Sequence, residues 1–182
     1  NKEAIMSFLS HFTGFGFGSV LIFLAVGTIL TIVLQASSAT MAITMLLATS
    51  GLIGFDLAAA MVLGENIGTT ITANMAAAVG NTSAKRAARA HTLFNVFGVL
   101  WVLVLFHPFL KLIGLIMSSV GFPNPLEADL TNPDPATQTS LLYGIATLHT
   151  LFNITNTLIL IWFVPLIVKI VSWMVKSPEG DE

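Results

Sequence analysis

The sequence predicts an all-α, polytopic membrane protein whose helices are broken or re-entrant. Hydrophobic residues make up 55% of the 182 residues and charged residues only 9%, whereas about a quarter of the residues of a soluble domain are charged. Two segments, 4–55 and 135–168, contain no Asp, Glu, Lys or Arg. Each is longer than the roughly 20 helical residues that cross a hydrocarbon core. Clusters of polar residues within the apolar blocks predict the breaks.

Residues 12–79 are predicted to form broken helices and hairpins that carry the polar motifs. A first apolar block, 12–34, leads directly to a second block, 41–55. Because no charged or proline-rich loop separates them, the connection is either one continuous long helix or a helix broken within the membrane at 35–40. The polar cluster QASSAT at that place favours the break, since backbone at membrane depth is unwound only where it lines a cavity or is covered by protein.

The third apolar block, 57–79, contains a second polar stretch, GENIGTTITAN at 64–74. We expect this stretch to interrupt its helix as the first one does. A carboxylate at membrane depth is costly and by default functional, so Glu65 is predicted either to contact an ion or to pair with a histidine or a backbone amide. Asp56 precedes an alanine-rich run and is predicted to be the N-cap of that helix.

The rest of the chain alternates polar and apolar segments, and the charges predict an orientation. Lys85, Arg86 and Arg89 lie close together, which the positive-inside tendency places in the cytoplasm, and an acidic, proline-rich loop then lies outside. Pro108, after His107, should kink the helix between these loops. The predicted segments are a basic cytoplasmic loop at 80–89, a membrane helix at 90–120, an acidic outer loop at 121–139, a membrane helix at 140–168 and a cytoplasmic tail at 169–182. We expect the end of this tail, 177–182, to be disordered.

The pentapeptide HTLFN occurs twice, which suggests an internal repeat. Each copy places a histidine and an asparagine four residues apart, so that the two share one face of a helix. These polar pairs either join neighbouring helices, as polar side chains in membranes commonly do, or contact a binding site directly. The candidate residues are His91 and Asn95 in the first copy and His149 and Asn153 in the second.

The break at QASSAT offers two kinds of binding chemistry. The N-terminus of the half-helix that follows carries partial positive charge and free N–H groups, which suit an anionic substrate. Unwound carbonyls and hydroxyls beside it suit a sodium ion. The side chains available there are those of Gln35, Ser37, Ser38 and Thr40. Scattered hydroxyls such as that of Thr28 are instead expected to bond back to the preceding turn of their own helix.

The order and spacing of three motifs make the sequence recognisable. QASSAT at 35–40, GENIGTTITA at 64–73 and AHTLFNVFGV at 90–99 together resemble the type II sodium/phosphate cotransporter family. The resemblance is close over residues 30–100. It implies one half of an inverted-repeat transporter fold, because each half of a family member bears a Q-S-S-S motif followed by G-A-N-I-G-T-T. The implied function is sodium-coupled symport of inorganic phosphate.

Two positions depart from the family pattern. Ala36 stands where the family has serine, which removes a hydroxyl that could contact phosphate. Glu65 stands where alanine is usual, which adds a cation ligand or a proton carrier. The resemblance implies substrate binding by Gln35, Ser37, Ser38, Thr40, Asn66, Thr69 and Thr70, and sodium binding or coupling by Glu65, Asn66, Thr69 and Ser37.

The implied partners are inorganic phosphate, sodium as the coupling ion and membrane lipid, with no nucleic acid, no other metal and no cofactor. We expect a multi-pass integral protein of the plasma or inner membrane. The sequence has no Walker, dinucleotide-binding or H-E-x-x-H motif, which argues against an enzyme. Because one Q-x-S-S motif is present where the family has two, we expect a second repeat half, or a second copy of the chain, to complete the site.

Three other functions are consistent with the residues. Coupling to protons could proceed through Glu65, His91 and His149. The substrate could be another oxyanion, such as sulfate. A passive channel or a scaffold would use the polar breaks to line a pore or to hold helices together. The dependence of uptake on sodium across a pH series separates these functions.

Overall fold

Helices dominate the structure, a computed structural model that describes residues 2–177. Within that range there are eight α-helices and two short 3-10 turns, Pro125–Glu127 and Ile161–Phe163, which confirms the all-α prediction. The α-helices are α1 (Lys2–Thr13), α2 (Phe17–Leu34), α3 (Ser37–Thr49), α4 (Phe55–Ala77), α5 (Thr82–Val104), α6 (Phe106–Ser119), α7 (Pro135–Leu160) and α8 (Val164–Met174).

Three helical stretches of the described residues are long and apolar enough to cross a membrane. They are Phe17–Leu34, Thr82–Val104 and Pro135–Met174, the last of which includes both α7 and α8. Large apolar side chains on these stretches are exposed, among them Val33 at 71% and Trp162 at 82%. Helices that are apolar on their outer surface are stable in lipid rather than in water, and we conclude that this is a membrane protein.

The centre of the bundle is α4. Every residue from 57 to 65 is buried, and the helix contacts α2, α3, α5 and α7. The sequence of a helix that is covered on all sides is apolar throughout rather than amphipathic. The polar motif that begins at Gly64 therefore starts in the interior of the protein.

The backbones of α2 and α4 are in direct contact. A side chain at Gly27 would overlap the backbone of α4, and one at Gly64 would overlap the carbonyl of Leu24. Farther along, Gly68 lies against Thr31, so the contacts advance in the same direction on both helices and the helices run parallel. Small residues allow this close approach, which is common between membrane helices.

The chain reverses direction between α2 and α3. Thr31 Oγ1 of α2 and Thr40 Oγ1 of α3 are 3.0 Å apart across the turn, so the two helices lie side by side and form a hairpin. The break predicted within residues 35–40 is therefore present, and it takes up only Gln35 and Ala36. The alternative of one continuous helix is wrong. The depth of the turn in a membrane stays a prediction.

The second predicted break, within residues 64–74, is wrong, because α4 is continuous across it. Its polar side chains bond back to carbonyls of the preceding turn. Asn66 Nδ2 donates to the Val62 carbonyl at 2.8 Å. Thr69 Oγ1 donates to the Glu65 carbonyl at 2.9 Å. Such bonds satisfy polar side chains inside a helix, so that no unwinding is needed.

Both predicted loops are shorter than expected. α5 begins at Thr82, immediately after its N-cap Asn81. The basic residues assigned to a loop at 80–89 therefore lie on the first turns of a helix. The outer loop predicted at 121–139 ends at Asp134, which is the N-cap of α7. In each case a capping residue starts the helix earlier than the change in hydropathy suggests.

The predicted helices at 90–120 and 140–168 are each divided in two. α5 ends at Val104, and α6 begins at Phe106. Pro108 lies four residues after Val104, and in a continuous helix its ring would clash with that carbonyl. The second predicted helix is divided between α7 and α8 by a 3-10 turn. The proline therefore causes a break just before it rather than a kink at its own position.

Two further expectations need correction. The predicted tail, 169–182, begins inside α8, and residues 178–182, for which we expected disorder, lie outside the described part of the chain. The N-cap of α4 is Gly54 rather than Asp56. Asp56 occupies the first turn instead, where its negative charge is favourable beside the helix N-terminus.

Gly64→Ala is expected to destabilise the protein, because the added methyl group would overlap the Leu24 carbonyl and push α2 away from α4. Overpacking of this kind costs about 1–3 kcal/mol. Thermal unfolding of the purified protein in detergent measures the loss. Gly14→Ala is the matched control, since nothing lies within 4 Å of a side chain at that position. Equal stability of the two variants would contradict the close packing.

Asp134→Ala is expected to speed amide exchange at the start of α7 at neutral pH. The Asp134 carboxylate accepts the Thr137 backbone N–H at 2.7 Å, and this bond holds the pKa of the carboxyl below its usual value. The cap is therefore fully effective above the unfolded-state pKa and is lost as the pH falls through the lower folded-state pKa.

Asp134→Asn is the control for this cap. Asparagine caps helices about as well as aspartate but does not titrate, so protection of the Thr137 amide should stay constant over the acid range in which the wild type loses it. If protection of that amide does not change in Asp134→Ala, the cap does not hold the start of α7.

Candidate functional site

The hairpin tip between α2 and α3 has an unusual backbone. Gln35 has φ 52° and ψ 27°, in the left-handed region that glycine normally occupies, and Ala36 is extended. Gln35 is the one non-glycine residue with positive φ in the described part of the chain. This conformation costs on the order of 1–3 kcal/mol, and strain of this kind is concentrated at functional sites. The backbone itself therefore marks the tip as a candidate site.

Three polar side chains at the tip have no hydrogen-bond partner in the described part of the chain. Gln35 and Ser38 are exposed, and Ser37 is half-buried. Among residues 2–177, no group hydrogen-bonds any of these three side chains. The first N–H groups of α3 lie beside them and lack intrahelical acceptors. The tip therefore gathers hydroxyl, amide and N–H groups without a charged side chain, an arrangement that suits an anion.

A buried pair of hydroxyls lies behind the tip. Thr31 Oγ1 is 2.9 Å from the Gly27 carbonyl of its own helix and 3.0 Å from Thr40 Oγ1. Thr40 is fully buried, and its carbonyl accepts the Thr44 hydroxyl at 3.0 Å. Thr40, which was predicted to bind substrate, thus joins the two arms of the hairpin beneath the exposed residues of the tip.

Glu65 lies on the side of α4 that faces the hairpin. It follows Gly64, which contacts α2, and it lies one turn beyond Met61, whose sulfur is 4.0 Å from Thr44 Oγ1 of α3. Only 3% of Glu65 is exposed, and within residues 2–177 its Oε2 has no hydrogen-bond partner. Burying a carboxylate without a partner is costly. The position therefore suits a cation or a proton that neutralises it.

The other predicted residues of the GENIGTT motif are Asn66, Thr69 and Thr70, which occupy successive positions around α4. Asn66 and Thr70 each follow a contact glycine of α4 by two residues, which is about 200° around a helix, so they face away from α2. Thr70 is 1% exposed and bonds within its own helix at 2.8 Å. Thr69 lies one turn beyond Glu65. Around the axis of α4, Thr69 thus lies between Glu65 and Asn66, and Thr70 lies farthest from Glu65.

The two HTLFN copies have the same local geometry. In α5, Asn95 Nδ2 donates to the His91 carbonyl at 3.1 Å, and in α7, Asn153 Nδ2 donates to the His149 carbonyl at 2.8 Å. Each asparagine thus satisfies its amide within its own helix. Each of these bonds lies within one helix, so the link to a neighbouring helix and the contact with a site both stay predictions.

Two asparagines that join helices were not predicted. Asn156 of α7 reaches α5, where its Nδ2 donates to the Phe94 carbonyl at 2.9 Å and its Oδ1 accepts from Trp101 Nε1 at 3.4 Å. Asn74 of α4 lies 2.7 Å from Thr92 Oγ1 of α5. The signal that could have found them is an amide inside an apolar helix, because such a group needs a partner on a neighbour.

The role of Thr28 was predicted only in part. Its hydroxyl bonds back to the Leu24 carbonyl at 2.9 Å, as expected, and it also lies 2.9 Å from the Gly64 carbonyl of α4. A hydroxyl that bonds back within its helix can therefore mark a helix contact as well. The contact fixes the start of the polar motif of α4 against α2.

Comparisons with known proteins point to one family. Residues 2–123 match the family model described as "Na+/Pi-cotransporter". The chain is 40% identical over 136 residues to "Uncharacterized protein YqeW" of Bacillus subtilis (strain 168), which covers 73% of this chain and 39% of that protein. It is 26% identical over 165 residues to "Putative inorganic phosphate export protein YjbB" of Escherichia coli (strain K12), which covers 90% of this chain and 26% of that protein.

The chain thus spans between about a quarter and two fifths of the length of these two relatives. No solved structure matches it. The family model nevertheless covers well over half of the 182 residues, including the hairpin tip and all of α4. We conclude that the chain belongs to the Na+/Pi-cotransporter family.

Proposed function

We propose that this chain supplies one half of a sodium-coupled phosphate symporter and holds phosphate at the hairpin tip. The proposal is carried by the reversal at Gln35 and Ala36, which leaves three polar side chains beside the free N–H groups of α3. Family membership supports phosphate as the substrate, and the Escherichia coli relative is named for inorganic phosphate. A second repeat half, or a second copy of the chain, supplies the rest of the site.

The three helices around the tip, α2, α3 and α4, carry no positively charged side chain. Residues 3–84 contain no Lys or Arg. Phosphate therefore meets hydroxyls, an amide and a helix N-terminus that carries about half a positive charge. These groups do not balance the roughly one to two negative charges of phosphate at neutral pH. Sodium supplies the remaining positive charge, so phosphate binds tightly only while sodium is bound and is released once sodium leaves.

We place this sodium beside Glu65. The buried carboxylate lacks a partner within the described residues and faces the hairpin, and the Thr69 hydroxyl lies one turn farther along the same side of α4. Carboxylate, carbonyl and hydroxyl oxygens are the groups with which broken-helix transporters bind sodium. Ser37 supplies a hydroxyl from the tip. Asn66, whose side chain faces away from α2 and donates to the Val62 carbonyl, takes part only after α4 and the hairpin change their relative orientation.

The partnerless carboxylate of Glu65 also favours a second candidate, coupling to protons. Protonation would neutralise the buried group as sodium does.

The direction of transport needs its own measurement, because the family is described as cotransporters and a relative is named for export. We propose uptake driven by an inward sodium gradient. Liposomes loaded with sodium on either side distinguish uptake from export, and a proton gradient without sodium tests the second candidate.

Ser38→Ala is expected to lower sodium-driven uptake of labelled phosphate into liposomes by roughly ten- to a hundredfold. The serine hydroxyl is exposed at the tip and has no partner within residues 2–177. A hydrogen bond to a charged ligand is worth about 1.5–3 kcal/mol, which sets this range.

The matched control is Ser118→Ala, at an exposed serine of α6 outside the hairpin. It should retain wild-type uptake. If both variants take up phosphate equally well, phosphate does not bind at the tip. If phosphate binds equally tightly without sodium, the coupling mechanism is wrong.

Glu65→Gln is expected to abolish the stabilisation of the protein by sodium. If sodium binds beside the buried carboxylate, replacing choline chloride with sodium chloride at equal ionic strength should raise the wild-type Tm. An ion present at about 100 times its dissociation constant stabilises the folded state by about 2.7 kcal/mol. The amide of the variant keeps the shape of the side chain but lacks the charge that attracts the cation.

Asn66→Ala tests whether sodium lies at Glu65 rather than on the part of α4 that faces away from α2. It should keep most of the sodium-dependent Tm shift, since Asn66 faces away from α2. A wild-type Tm that depends on pH but not on sodium would favour proton coupling, and a sodium shift that persists in Glu65→Gln would place sodium elsewhere.

A further inference from the structure

Basic side chains are concentrated at one end of two packed helices. Five of the seven Lys and Arg residues lie near the start of α5 or in and just after α8. Neither 82–104 nor 161–177 contains Asp or Glu. The basic residues are Lys85, Arg86 and Arg89 from α5, Lys169 from α8 and Lys176 just after it.

Arg86 fixes the two helices together at this basic end. Its Nε donates to the Val175 carbonyl at 3.0 Å, and its Nη2 donates to Ser177 Oγ at 3.2 Å. The start of α5 therefore lies beside the end of α8, and the two helices run in opposite directions. Arg89 and Lys169 are both exposed, so they are available to a ligand.

An apolar groove of about 340 Å³ runs between the same two helices. Leu93 and Phe97 form its α5 side, and Leu166, Ile167 and Ile170 form its α8 side. Its lining contains no charged residue. The groove also lies within two stretches that are long and apolar enough to cross a membrane, so it opens towards the acyl chains of the lipid.

The groove leads to the basic end. On α5, Arg89 lies four residues before Leu93 and eight before Phe97, so all three share one face of the helix. On α8, Lys169 lies three residues after the groove residue Leu166, so the two side chains are neighbours on the helix surface and Lys169 borders the groove. One ligand can therefore occupy the groove with an apolar part and reach the guanidinium and ammonium groups with an anionic part.

We propose that the α5–α8 groove is a binding site for an anionic phospholipid, with an acyl chain in the groove and the headgroup phosphate at Arg89 and Lys169. Basic pockets between helices on the cytoplasmic side are a recurrent form of lipid recognition. A free phosphate ion would leave the groove empty. An apolar partner helix would cover the groove but would leave Arg89 and Lys169 without an anion.

Native mass spectrometry of the purified protein in detergent tests this site. The probes are phosphatidylglycerol and phosphatidylcholine with identical acyl chains. We expect retention of phosphatidylglycerol in clear preference to phosphatidylcholine. In the double variant Arg89→Ala/Lys169→Ala, affinity for phosphatidylglycerol should fall roughly 30-fold, because each basic side chain near an anionic headgroup contributes about a fivefold factor.

Two further variants separate the site from general attraction between charges. Lys111→Ala removes an exposed lysine of α6 and should bind phosphatidylglycerol as the wild type does. Leu166→Trp fills the groove without changing any charge, and it should displace the lipid while helical content by circular dichroism is unchanged.

Three results would overturn the proposal. One is equal retention of the two lipids by the wild type. Another is undiminished phosphatidylglycerol binding by the double variant or by Leu166→Trp. The third is displacement of the lipid by inorganic phosphate, which would show that the basic residues hold free anions. None of these measurements depends on transport, so the proposed symport and the lipid site stand or fall separately.

Discussion

Contact between the backbones of α2 and α4 is the constraint on which the rest of the structure depends. The glycines at 27, 64 and 68 leave no room for a side chain between the two helices. This contact fixes α4 at the centre of the bundle and sets how far the α2–α3 hairpin can extend along it. The strained tip and the buried carboxylate of Glu65 therefore lie on one side of α4. Polar groups in this protein are positioned by close packing of its smallest residues.

Hydrogen bonding within helices determines which polar residues are free for a ligand. Most hydroxyl and amide groups on α2, α3 and α4 bond to carbonyls of their own helices, as Asn66 and Thr69 do. Those at the tip do not. For Ser37 and Ser38 the difference follows from backbone geometry, because a side chain in the first turn of a helix has no preceding turn to bond to, whereas one farther inside does. A polar cluster in an apolar sequence therefore indicates a site only where the helix also ends.

This difference also explains how much could be predicted from the sequence. The break at Gln35 was predictable, because four polar side chains interrupt two apolar blocks with no loop between them. The second break was predicted from the same kind of cluster and is wrong. Hydrogen bonds from side chains to carbonyls of the same helix do not change the hydropathy of the sequence, so the pattern could not reveal them. The contact across Asn156 was missed because its partners lie 55 and 62 residues away in the sequence. The direction in which Glu65 faces depends on how three helices pack together, and no single sequence motif contains that information.

The hydroxyl of Thr31 has one proton and two acceptors, the Gly27 carbonyl of α2 and Thr40 Oγ1 of α3. Rotation about a single bond exchanges one acceptor for the other without leaving the proton unsatisfied. Loss of this bond between the helices therefore adds little to the enthalpic cost of separating the arms, since it is replaced by one within α2. The two hydroxyls thus link the arms of the hairpin but resist their separation far less than a buried ion pair would.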